Sequence, residues 1–212
     1  MEQKISIYVI YGNPRNEPLM EWSQKVFNKF GFKVNYCKFP FPAISHGQAL
    51  DYILQQTDSK YLLFMDIDCI PLRSDFLDIM YDKIKDGNTI FSHCQQSGHI
   101  FVNGTNQHVY AAAACLGMSR EIWEKVGKPS LDHNYRGDGA EELSWKIKEQ
   151  GYNIAFMYPK YVFEKKFDVD NGLKFGMGNI FGDNMIFHSM CQDNPRSAEL
   201  FINKCKEVLG EN

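Results

Sequence analysis

Phe64-Met65-Asp66-Ile67-Asp68-Cys69-Ile70-Pro71 sets two carboxylates two residues apart, just after the most apolar run of the chain, Lys60-Tyr61-Leu62-Leu63-Phe64-Met65. In an extended chain, residues i and i+2 point the same way. Two like charges on one face repel unless a cation sits between or beyond them. A hard divalent ion with oxygen ligands fits, because Mg2+ or Mn2+ commonly bridges protein carboxylates and substrate phosphate. The alternative is a pair of solvent-facing aspartates that open a loop. In open α/β sheets, ligands bind beyond the carboxyl ends of the strands, which is where this pair falls.

The elements that must hold the pair alternate along the chain. Residues 4–11 (KISIYVIY) are rich in strand formers and end at the turn signal Gly12-Asn13-Pro14. Leu19, Trp22, Val26 and Phe30 repeat at helical spacing up to Gly31. Residues 32–38 read as a second strand, broken by Pro40 and Pro42. Residues 46–57 place Ala49, Leu50, Ile53 and Leu54 on one helical stripe, and the run 60–65 follows. A continuous apolar strand suits a parallel sheet covered on both faces. The order strand, helix, strand, helix, strand therefore predicts an α/β fold with a mostly parallel central sheet flanked by helices.

The second half is less regular. A helix is expected after Pro71, strands over 88–93 and 108–117, and a polar loop or loose hairpin over 94–107. Helices follow over 119–126 and 140–150, then a strand over 153–158 and a final helix over about 195–209. Residues 160–184 show no period and read as a long loop, with Gly172, Gly176 and Gly178 as hinges of a lid. The whole chain is expected to form one domain, with a nucleotide-binding half (1–93) and a smaller, mixed acceptor-binding half (94–212).

Composition narrows the function classes. The chain has 212 residues, 44% hydrophobic and 23% charged, ordinary values for a globular domain and unlike a disordered or fibrous chain. A net charge of −3 gives no strong signal for nucleic acid. No apolar stretch approaches the ~20 residues of a membrane span. The first residues read as a strand and not as a signal peptide. Six scattered cysteines without a CxxC pair point away from a zinc ribbon, and a reducing, cytoplasmic location is the expectation.

Ser45-His46-Gly47-Gln48-Ala49-Leu50-Asp51 followed by Asp58-Ser59-Lys60-Tyr61-Leu62-Leu63-Phe64-Met65-Asp66-Ile67-Asp68 resembles glycosyltransferases of the Rossmann-like GT-A fold, especially the family 2-like group. The resemblance covers most of residues 4–158 in order and spacing, and the DxD block is its specific part. It implies a nucleotide-diphosphate sugar donor, a saccharide or other hydroxyl-bearing acceptor, and Mn2+ or Mg2+ held by the DxD. By that resemblance Asp68 is a direct metal ligand, and Asp66, counted in the same metal site, faces the donor's ribose or metal-bound water. A histidine from the C-terminal segment completes the metal site in many such enzymes, a role that His188 fits at the end of Met185-Ile186-Phe187. The donor nucleotide is expected beside Tyr11 and Arg15, by stacking and phosphate pairing; an ordinary βα turn with a solvated Arg15 is the alternative. His46 opens the second helix, where a phosphate is favoured; capping or simple solvation is the alternative.

Transfer with inversion needs a base beside the acceptor hydroxyl. In the resembled family an acidic pair lies about twelve residues ahead of Gly-Tyr. Here Gly151-Tyr152 puts that register on Gly139-Ala140, a departure from the pattern. Asp138 is the first choice for the base, Glu141 the second and Glu142 the third, against the alternative that these acids complement a helix N-terminus. The rival readings are a non-catalytic carbohydrate- or nucleotide-sugar-binding module, a sugar nucleotidyltransferase, and a DxD phosphatase. The nucleotidyltransferase reading lacks a glycine-rich basic loop after the first strand. The phosphatase motif normally lies on the first strand, whereas here it follows the third.

Overall fold

A computed structural model describes residues 3–12, 16–96, 109–135, 137–168, 172–190 and 194–211. Arg15, residues 97–108, 169–171 and 191–193 lie outside that set, whereas Gly172, Gly176 and Gly178 lie within it.

Ten strands and six helices are described: β1 (Ser6–Tyr11), α1 (Glu17–Lys29), β2 (Val34–Lys38), α2 (His46–Gln56), β3 (Tyr61–Asp66), β4 (Cys69–Pro71), α3 (Phe76–Ile84), β5 (Thr89–Gln96), β6 (Val109–Ser119), α4 (Arg120–Lys125), α5 (Glu141–Glu149), β7 (Asn153–Met157), β8 (Pro159–Asp168), β9 (Lys174–Phe181), β10 (Ile186–His188) and α6 (Pro195–Leu209). The main sheet has the order β2-β1-β3-β6-β5-β7. β1 pairs in parallel with β2 and β3, and β5 with β7, while β6 opposes both of its neighbours. Five of the six strands therefore run one way, which is the expected mostly parallel α/β fold.

The apolar run of β3 serves both faces of this sheet. Leu63 and Met65 join a core with Val26 and Phe27 of α1, Met80 of α3 and Phe201 of α6. Leu62 and Phe64 point the other way, into a core with Leu50 and Leu54 of α2, Ile122 of α4 and Leu143 and Ile147 of α5. Each face removes large aliphatic and aromatic side chains from water, worth about 1.5–3 kcal/mol for each fully buried one. That two-sided burial explains why the strand shows no polar alternation.

A second sheet, β4-β10-β9-β8, is antiparallel throughout. It corrects the reading of 160–184 as a loop with a lid, since most of that span is the β8–β9 hairpin. Its glycines hid the strand pattern, but they serve close packing. A Cβ on Gly176 would lie 2.3 Å from the Phe163 carbonyl oxygen, and one on Gly178 would lie 2.8 Å from the Phe187 ring. The three-residue β4 was also absent from the sequence expectation, being too short to show a period.

Helix α2 is fixed at its start. Ser45 caps it, with Ser45 Oγ accepting from Gln48 N and Gln48 Oε1 accepting from Ser45 N, each at 3.0 Å. Ser45 Oγ also donates to Asp132, and Asp51 Oδ1 accepts from Leu131 N at 2.8 Å. These bonds staple α2 to the 130–132 segment so closely that a Cβ on Gly47 would sit 2.2 Å from Asp132 Cα and 2.4 Å from Leu131 O. Replacing Gly47 by Ala forces the two segments apart and should cost about 1–3 kcal/mol. Urea unfolding reads this directly; a loss below about 0.5 kcal/mol, the range of an ordinary surface change, would mean that the staple yields.

Candidate metal and donor site

The DxD carboxylates converge, but not by strand alternation. β3 ends at Asp66, and Ile67 and Asp68 form a turn before β4. Ile67 is 1% exposed and inserts into the core beneath the sheet. Its burial pins the middle of the turn, so the flanking carboxylates stay at the sheet's end. The extended geometry expected from sequence is thus corrected to a turn with the same outcome.

The partner from far along the chain is brought by strand register. β10 pairs with β4 so that His188 lies opposite Cys69. The ladder continues one step, with Ser189 N donating to the Asp68 carbonyl oxygen at 3.1 Å. Ser189 Oγ donates to Asp68 Oδ2 at 3.2 Å, and His188 Nε2 stands 3.6 Å from Asp68 Oδ1. Ligand atoms of Asp66, Asp68 and His188 all lie within 4.8 Å of one another. Asp68 is fully buried and His188 nearly so.

His46 projects from the first turn of α2 towards Asp66. Its Nε2 is 2.8 Å from Asp66 Oδ1, a charge contact without the alignment of a full hydrogen bond. Burial disfavours the protonated His46, but the charge of Asp66, with Asp138 and Asp68 behind it, outweighs this and raises its pKa. Burial likewise opposes the charged Asp66, and His46 first, then His188 and His93, holds its pKa below the ordinary value.

These residues open on a cleft of about 340 Å³, whose lining includes His46, Asp66, Asp68 and His188 together with Tyr110, Asp138 and Gly139. Ala113 and Ala114 form part of its floor. The β5–β6 register slips between Ser92 and Cys94, which pair with Leu116 and Ala111. The extra β6 residues bulge out there, a device that often re-aims side chains beside a site. Asp138 is exposed at the cleft; its Oδ1 accepts from Gly139 N at 2.9 Å, and its Oδ2 lies 3.5 Å from the Tyr110 hydroxyl. Burial first, then Asp138 and Glu141, push the Tyr110 phenol well above its ordinary pKa.

The other expected residues lie apart. Glu141 is fully buried and is not among the cleft-lining residues; its Oε2 accepts from Asp138 N at 2.9 Å. Gly137 leaves it that room, since a Cβ there would lie 2.0 Å from the same oxygen. Tyr11 is half-buried at the end of β1 and does not line the cleft, and its carbonyl accepts from Phe39 N at 2.9 Å. Arg15 lies outside the described residues. Sequence reasoning missed Gln95 and Tyr110, which face each other across the β5–β6 ladder, and did not single out His93. A histidine in the midst of the apolar strand Ile90–Cys94 was the available signal.

The donor set suits a divalent cation. Two carboxylates and an imidazole on one small locus match Mn2+ or Mg2+ chemistry. Buried Asp66 Oδ1 and His188 Nδ1 make no aligned hydrogen bond within the protein. Among the described residues this is the one three-member group that could hold a metal, and no helix is long and apolar enough to cross a membrane.

Among solved structures, a mannosyltransferase of Pyrobaculum calidifontis in complex with GDP-Man and Mn2+ is similar over 74% of this chain, at TM-score 0.52 and 12% identity. This chain spans 55% of that enzyme's length. A protein from STIV matches over 89% of this chain and 95% of its own, at TM-score 0.47 and 15% identity. A glycosyltransferase involved in glycosylation of the major capsid of PBCV-1 matches over 72% and 81%, at TM-score 0.45 and 11% identity. No protein-family model matches the sequence, and no curated protein matches it. The mannosyltransferase carries the comparison, and at its level of identity the likeness establishes the fold: this chain has a GT-A-like α/β architecture, the one its DxD segment resembles.

The His46–Asp66 contact has a defined pH window. The lowered Asp66 pKa adds stability above its ordinary 3.8, lost as pH falls through the folded value. The raised His46 pKa adds stability that is complete below 6.5 and lost as pH rises through the folded value. With His46 36% exposed, solvent screening limits the pair to about 0.5–1 kcal/mol. In metal-free protein, His46→Gln should lose that amount at pH 6 and converge with wild type by pH 9 in urea unfolding. A difference independent of pH would refute the ion pair.

Proposed function

We propose that this chain is a metal-dependent glycosyltransferase that moves a sugar from a nucleotide-diphosphate donor to an acceptor hydroxyl, with inversion. The observation that supports this most is the convergence of Asp66, Asp68 and His188 in a cleft that Asp138 also lines. In this reading Asp66, Asp68 and His188 hold Mn2+ or Mg2+. The ion, when bound, supplies positive charge to the leaving diphosphate.

The chain's own groups do the rest. The 1–93 half takes the nucleotide and its phosphates, with His46 and Asp66 as the expected donor residues that line the cleft. The 94–212 half takes the acceptor and contributes His188. Asp138 accepts the proton of the attacking hydroxyl through its exposed carboxylate. Glu141 acts indirectly: it fixes the Asp138 backbone through the 2.9 Å bond to its N–H, so it is a positioning residue in this proposal. The bulge at Ala113 and Ala114 keeps the floor of the cleft open for the sugar.

A panel of nucleotide sugars, assayed for transfer or donor hydrolysis with Mn2+, Mg2+ or EDTA, tests the reading. Turnover should require the metal. Asp138→Asn should lower kcat by about 10²–10⁴-fold while a nucleoside diphosphate with Mn2+ still raises the melting temperature. Asp68→Asn should lose both turnover and the metal-dependent thermal shift. A donor that binds but never turns over, with any acceptor or water, would favour a non-catalytic binding module.

A further inference from the structure

His93 lies behind the metal ligands and has no role in the reading above. It is in the middle of β5, with none of its side chain exposed. Its ring stacks edge-to-face on His188, with centroids 5.1 Å apart, and on Phe181 at 4.6 Å. Neither of its ring nitrogens makes a hydrogen bond of proper geometry; one approach is to the Cys115 backbone. Leaving a buried polar atom unmade costs about 1–3 kcal/mol. An apolar ring of similar size would fill the same space without that cost, so packing alone does not account for a histidine here.

The adjoining ring shows the complementary deficit. His188 turns Nε2 towards Asp68, and its Nδ1 is buried without a partner. A neutral imidazole has one donor and one acceptor nitrogen. When His188 Nε2 coordinates a cation, Nδ1 must carry the proton, and ligating histidines almost always give that N–H to an acceptor that fixes the ring. Of the two rings packed on His93, Phe181 offers no such donor and His188 does.

We propose that His93 is the positioning residue of the metal centre: it accepts the His188 Nδ1–H and so holds Nε2 towards the cation shared with Asp66 and Asp68. This inference rests on the metal site of the proposed function. It assigns to the chain a two-histidine relay in which only the outer ring, His188, touches the ion.

The test measures Mn2+ affinity by the loss of the free-ion EPR signal, together with thermal unfolding in EDTA, for wild type, His93→Phe, His93→Gln and His188→Ala. His93→Phe should fold with unchanged or higher metal-free stability, because it removes an unsatisfied polar group, yet bind Mn2+ about 10–100-fold more weakly. His93→Gln, which keeps an acceptor oxygen, should recover part of that loss. Equal Mn2+ affinity in wild type and His93→Phe, or His93→Gln no better than His93→Phe, would overturn the role of His93. Absence of Mn2+ binding in wild type, unchanged by His188→Ala, would instead overturn the metal site itself.

Discussion

Two carboxylates held together under cover need positive charge beside them, and much of the structure around Asp66 and Asp68 follows from that need. Removing a charged group from water costs several kcal/mol even after the protein relaxes. The chain meets that cost locally. His46 stands against Asp66, His188 and Ser189 stand against Asp68, and the remaining inward atoms face the cleft. A divalent cation would complete this arrangement better than any of these groups can, since an imidazole offers at most one charge and few aligned bonds. The electrostatics thus make this corner of the cleft a candidate site for a divalent cation, without reference to any relative.

The constraint is sustained by packing some distance away. Ile67 locks the turn between the two carboxylates into the core on one side of the sheet. β10 comes back across more than a hundred residues of chain to pair with β4, and that register alone puts His188 beside Asp68. The staple between α2 and residues 130–132 ties the helix that carries His46 to the segment leading into Asp138. Ala140 holds a left-handed conformation there, with φ of 64°, immediately before α5. A non-glycine residue in that region carries strain that the surroundings must hold, and the buried contacts of Ala140 and Glu141 do so. The cleft residues are therefore tied to the sheet and helices around them.

Much of this was legible in the sequence for a physical reason. The apolar run of β3 is continuous because both of its faces are covered, and the amphipathic stripes of α1, α2 and α3 are regular because each has one face on a sheet. Asp66 and Asp68 stood out against that background. Features set by long-range pairing were not legible. β4 is three residues long and exists by virtue of β10. The β8–β9 hairpin was concealed by glycines that make room for a neighbouring strand and ring. The slip in the β5–β6 ladder, which shapes the cleft floor, leaves no trace in composition. Glu141 was chosen for its charge and position, but burial turned it away from the cleft and towards the backbone of the residue chosen ahead of it.

The most direct test of the account is the location of a bound ion. Crystals of the protein grown with Mn2+ and a nucleoside diphosphate should show, at the manganese absorption edge, one anomalous peak ligated by Asp66, Asp68 and His188, with the diphosphate completing its shell. A peak at some other place, or none while the three side chains remain paired only with their protein neighbours, would contradict the central claim.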